Sequence, residues 1–195
     1  MREGIGRDVR CRGFVKIACL VCVVLGLGIL ALATKTVVGA VQAHAAEVQA
    51  VDGLSVVVDP LIAEDALTEA ITDEPALLGR IVLADRETGV VEHDLWSQLP
   101  DELRTVNPDE VRTAVLYRRW QMSVGTAGGG DGMDGGTAFR IAYDVVIVRV
   151  DTRTIIARHT IVGDEPAMHA GFNADVWGPD PWADMIAWID GLPRR

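Results

Sequence analysis

The segment richest in chemical suggestion is Gly128-Gly-Gly-Asp-Gly-Met-Asp-Gly-Gly136, in which Gly129 to Asp134 matches the G-G-x-G-x-D opening of a calcium-binding β-roll repeat. That chemistry needs stacked copies, because each ion sits between successive turns. This chain has one copy, and Gly136 stands where a large apolar residue belongs. Asp131 and Asp134 are therefore minor metal candidates, and the plainer reading is a soluble hairpin loop whose glycines supply positive φ. No Lys-Ser or Lys-Thr and no helix follow the glycines, which excludes a phosphate cradle of the Walker type. A second grouping, Asp164, Glu165 and His169, has five residues of spacing and oxygen and nitrogen donors that suit a divalent ion. Acidic residues are so abundant here that chance explains the grouping as well.

Other catalytic groupings are missing. The remaining histidines, His44, His93 and His159, form neither an H-x-x-x-H nor an H-E-x-x-H pattern, and the three serines include no G-x-S-x-G elbow. All three cysteines, Cys11, Cys19 and Cys22, fall within the first 22 residues. The C-x-x-C spacing of the last two lies inside an apolar run, where small apolar side chains are a better description than a redox pair. The five tryptophans (Trp96, Trp120, Trp177, Trp182, Trp188) accompany only three Phe and two Tyr. They read as the chain's large core fillers in preference to a sugar-stacking or partner platform. The residues thus assign no catalytic group, no cofactor and no enzymatic activity.

Charge narrows the partners. Residues 1–33 hold five bases and two acids, leaving thirteen bases and twenty-six acids beyond them, a balance of −13. Such a surface repels phosphate backbones, which argues against nucleic acid.

The elements that must carry these residues begin with a tether. Ile17 to Ala33 is a run of seventeen residues with no charge. As a helix it is roughly 25 Å long, close to a hydrocarbon core, and it satisfies its own backbone hydrogen bonds. Arg2, Arg7, Arg10, Arg12 and Lys16 precede it, while only Lys35 stands close behind. That asymmetry puts the N-terminus in the cytoplasm and the rest outside. The expectation is a basic cytoplasmic stub over 1–13, a transmembrane helix over 14–33 in the bilayer of the cell membrane, a helical stalk over 34–52, and an extracytoplasmic domain over 53–195. A cleaved signal peptide is the alternative, but Ala31-Leu-Ala33 lies inside the apolar run and Ala43-His-Ala45 lies well past it.

Within the outer domain, Leu54–Val58 reads as a short strand closed by Asp59-Pro60, and Pro60–Ile71 as a helix. Strands are expected at Arg80–Ala84 and Val90-Val91, joined through Arg86-Glu-Thr-Gly89. Three longer ones follow at Val111–Val124, Ala138–Val150 and Thr154–Val162, the last two joined by a hairpin through Asp151-Thr-Arg153. A final helix carries Trp182, Met185, Ile186 and Ile189 on one stripe, with Asp180 as its cap, Pro181 at its first position and Gly191 at its end. The fold class is α+β: an antiparallel sheet of three or more strands with packed helices.

Leu99-Pro-Asp-Glu-Leu-Arg104, Pro108-Asp-Glu-Val-Arg-Thr113, Gly163-Asp-Glu-Pro166, Trp177-Gly-Pro-Asp-Pro181 and Trp188-Ile-Asp-Gly-Leu-Pro193 together give a layout that resembles uncharacterised bacterial extracytoplasmic α+β domains behind a single membrane anchor. The resemblance covers roughly residues 80–193, carries no activity with it, and is interrupted by the glycine-rich segment. The functional expectation is a membrane-anchored extracytoplasmic protein that binds a protein partner not identified by the residues, or supports envelope assembly. The alternatives are a ligand- or metal-sensing module and a secreted protein.

Overall fold

The computed structural model describes residues 34–63, 67–127, 136–167 and 174–195. The segment 14–33 and its stub therefore lie outside the described residues. Among the described residues, no helix is long and apolar enough to cross a membrane. The chain forms two compact units, Met1–Glu47 and Val48–Arg195. In the first, residues 34–47 are helical and exposed. That helix (α1) is continuous to residue 52, and its last turn, with Val51 fully buried, belongs to the second unit.

The second unit is α+β. Six strands, β1 (Thr68–Glu69), β2 (Arg80–Asp85), β3 (Val111–Ala127), β4 (Gly136–Arg149), β5 (Thr154–Val162) and β6 (Val176–Trp177), form one sheet in the order β1-β5-β4-β3-β2, with β6 on β4. The β3–β4 and β4–β5 pairs are antiparallel, the second through a turn in which Arg153 takes φ 52°. A purely antiparallel sheet is not what forms. The β2–β3, β1–β5 and β4–β6 pairs are parallel. The reason is connection length: residues 86–110 between β2 and β3 return the chain to the end where it started, as a two-residue turn cannot. That connection holds the helix α3 (His93–Trp96) and a 3₁₀ turn over Pro108–Glu110. The turn expected at Arg86–Gly89 does form, capped by the Asp85 carboxylate, but Val90 and Val91 join no strand.

Two further local readings change. Residues 55–58 are helical, part of α2 (Ser55–Ile62), with Leu54 at its N-cap and Pro60 inside it. Val51, Leu54, Val58 and Leu61 recur every three or four residues and are all buried, so the apolar stripe outweighs the proline. Proline removes a bond to the carbonyl four residues back. Here that is Val56, which is exposed and can be solvated. Helix does not continue to Ile71, because Thr68–Glu69 pairs with β5 instead.

Ala114–Tyr117 and Val145–Val148 are buried without a break, so both faces of the central strands are covered. The last helix, α4 (Trp182–Asp190), buries Met185 and Ile189 completely and seats Trp182, Ile186 and Trp188 on the core. Trp188 stacks on His159 of β5 at 4.8 Å, which places α4 on the face shared by His159 and Tyr143. Asp180 does not cap α4. Its carboxylate accepts from Tyr143 Oη at 2.7 Å and from Arg119 Nε at 3.1 Å.

Candidate functional site

An open groove of about 670 Å³ lies beside the start of β2, with Leu77 and Leu103 as its buried apolar residues. Its wall is built by backbone pairing. The Leu77 N–H donates to Pro193 O at 2.8 Å and the Arg195 N–H to Leu77 O at 3.0 Å, which lays residues 193–195 alongside Leu77. The buried Thr113 hydroxyl donates to Leu78 O and accepts from the Leu78 N–H, both at 2.9 Å. Gly79 then takes φ 55°, and a Cβ there would lie 2.9 Å from Arg112 Cγ. Only glycine lets the chain pass that close in that conformation. Four arginines, Arg80, Arg112, Arg194 and Arg195, and three acids, Glu102, Asp109 and Glu110, share the lining.

These charges are not equally occupied. Glu102 accepts from Arg194 Nη1 at 2.6 Å, and Arg194 also binds Asp190. The backbone N–H of Glu102 and then Arg194 hold its carboxyl below the usual carboxylate range. Glu110 accepts from Thr105 Oγ1 at 2.8 Å and Asn107 Nδ2 at 3.3 Å. Arg80 donates from Nη1 to Asp101 O at 2.7 Å, and Arg112 makes one long bond, 3.4 Å, to Val111 O. Among the described residues neither has a carboxylate within ion-pair reach. A guanidinium carries five N–H donors in a planar fork that fits carboxylate and phosphate. Arg80 lies near enough to Glu102 to help hold that carboxyl low, so the groove's spare anion donors are Arg112 and the remaining N–H groups of Arg80. Among the described residues the groove lining contains no histidine, serine or cysteine.

None of the candidate site residues singled out from sequence is among the described lining of the groove. Asp131, Asp134 and His169 lie outside the described residues. Asp164 and Glu165 are exposed neighbours in the segment after β5, and Glu165 Oε1 points to Arg140 Nη1 at 3.8 Å. Trp96 is buried beneath Arg104, whose guanidinium sits 5.2 Å from the ring centre. The groove arginines carried no signal in the sequence, because they come from three distant segments. Their convergence depends on the parallel β2–β3 pairing, which sets Arg80 opposite Val111.

A second cluster is buried. Tyr117 and Tyr143 meet edge to face at 5.6 Å, and both are almost inaccessible. Burial first, then the Glu92 charge, pushes the Tyr117 hydroxyl well above its ordinary value. Burial and the bond to Asp180 do the same for Tyr143. Both are thus protonated donors at neutral pH, the wrong direction for a tyrosine base. Tyr117 Oη makes no hydrogen bond of ordinary geometry.

No protein-family model, no curated protein and no solved structure matches this chain.

Proposed function

We propose that this chain is a membrane-tethered extracytoplasmic binding protein whose arginine-lined groove takes small ligands bearing a carboxylate or phosphate. One observation supports the site above all: among the described residues Arg80 and Arg112 line a groove of about 670 Å³ with no carboxylate within ion-pair distance, while Glu102 and Glu110 beside them are already hydrogen-bonded. The volume suits a small molecule. The tether rests on the uncharged run from Ile17 to Ala33 and the five bases before it.

An acidic domain and an anion site are compatible because salt screens charges beyond about 8–10 Å. A small anion inside the groove meets four lining guanidinium groups against three lining carboxylates, while the acids elsewhere on the domain are screened. A nucleic acid would span many of those carboxylates at once.

Calorimetric titration of the full chain in zwitterionic nanodiscs, with citrate and with inorganic phosphate as probes, tests the site. Saturable binding is expected, and the double variant Arg80→Gln/Arg112→Gln should weaken it by about tenfold or more. No saturation with either probe, or unchanged affinity in the double variant, overturns the assignment. The tether has its own test. Protease added to intact cells should digest the part beyond residue 52. Protection would reverse the orientation, and soluble material starting beyond residue 33 would mark a secreted protein.

A further inference from the structure

We infer that the sheet face around Trp177 is a binding platform for neutral carbohydrate. Trp177 is 52% exposed, although tryptophan is the largest apolar side chain and Trp182 and Trp188 pack on the core. Its ring is fixed in place nonetheless. It stacks on Phe139 at 5.8 Å with 18° between the planes, and its Nε1–H donates to Gln121 Oε1 at 3.0 Å. The backbone is pinned as well, with Val176 and Trp177 paired to β4 and the Gly178 N–H donating to Phe139 O at 2.8 Å. A flat, exposed and immobilised indole presents the surface on which the C–H face of a pyranose stacks, and ordering it costs the ligand little.

The surroundings supply the polar half of such a site. Alternate residues of a strand share a face, so Arg119, Gln121 and Ser123 of β3 form one exposed row. Gln121 keeps its amide N–H groups after accepting from Trp177. Arg119 and Asp180 are paired at 3.1 Å and lie one step along the strand, about 7 Å from Gln121. Planar amide, guanidinium and carboxylate groups bond to vicinal hydroxyls in pairs. Arg119 and Asp180 cancel, and Asp175, whose carboxylate accepts from the Thr137 N–H at 2.8 Å, leaves one acid beside the ring, so a sugar without acidic groups suits the platform. A protein partner fits less well: a stable interface needs about 800 Å² per side with an apolar centre, whereas the exposed row beside this indole, Arg119, Gln121 and Ser123, is polar.

The test uses the full chain in nanodiscs, which carry no sugar detergent. Cellotetraose, maltotetraose and chitotetraose are each titrated to millimolar concentration and read by saturation-transfer NMR. At least one should bind, with its ring protons receiving magnetisation. Trp177→Ala should weaken it by about tenfold or more, and the exposed Gln121→Ala by a smaller factor. Trp177→Phe, which keeps a ring but loses the Nε1 bond, should fall between wild type and Trp177→Ala. Gln121→Ala removes no packed ring and so separates lost contact from lost fold. Absence of transfer from all three sugars, or binding unchanged in both Trp177→Ala and Gln121→Ala, refutes the platform.

Discussion

Replacing Thr113 with valine lowers the stability of the α+β domain by about 2–4 kcal/mol, a large effect for an exchange that preserves shape. The side chain is fully buried, so no solvent can take over its role. Its one hydroxyl closes both backbone groups of Leu78, accepting from the N–H and donating to the carbonyl. Valine leaves both unpaired, and each orphaned group costs about 1–3 kcal/mol. Because the shapes match, no cavity contributes, which makes the substitution a clean measure of hydrogen bonding. The loss should be visible as a lower urea midpoint at unchanged slope. A loss below about 0.5 kcal/mol, typical of an unconstrained surface site, would show that Leu78 finds other partners.

The same substitution reaches the groove. Leu77, Gly79 and Arg80 line it, and Thr113 is what fixes the segment between them. Citrate affinity should therefore fall in Thr113→Val even at temperatures where the fold persists. Stability and recognition share one hydroxyl.

How much of this was readable from residues alone follows from what each element depends on. β5 (Thr154–Val162) and the stripe of α4 were legible because local alternation and helical spacing define them. The antiparallel β4–β5 pair was legible from its short link, but the parallel pairs were not, since periodicity is the same for parallel and antiparallel neighbours. Ile81–Ala84 gave a hint: four apolar residues with no alternation, all fully buried, as in strands covered on both faces. At Pro60 a local breaker signal competed with a four-residue apolar stripe, and tertiary burial won. Asp180 could serve α4 as a cap or serve a buried hydroxyl. It went to Tyr143, whose oxygen has less access to water than a helix end does. The groove was invisible for a different reason. Arg80, Arg112 and Arg194 are distant in the chain, and guanidinium groups left without carboxylates can be recognised only when every nearby acid has been located.

Alkaline conditions should unfold the domain earlier than an ordinary alkaline titration would, and both tyrosines are the cause. An unfolded tyrosine loses its proton near pH 10. In the folded domain burial holds both Tyr117 and Tyr143 protonated well above that. Above pH 10 the unfolded chain thus binds fewer protons than the native one, and stability falls as pH rises. The slope is about 1.4 kcal/mol per pH unit for each tyrosine, or about 2.7 for the pair. Arginines stay charged through this range. The chain contains only two tyrosines, so tyrosinate absorbance reports these two alone. It should rise together with loss of circular dichroism, in one transition, and not separately near pH 10. A tyrosinate signal appearing first in folded protein would mean that the rings are accessible. The single variants divide the effect. Tyr143→Phe removes one proton from the balance, halves the slope, and at neutral pH costs about 1–2 kcal/mol because Asp180 loses a donor. Tyr117→Phe halves the slope too, but its hydroxyl meets only the Glu92 carboxylate, outside ordinary hydrogen-bond geometry, and so has less to lose. That substitution should therefore be neutral or stabilising at pH 7, and the contrast between two phenylalanines separates a bonded buried hydroxyl from an unbonded one.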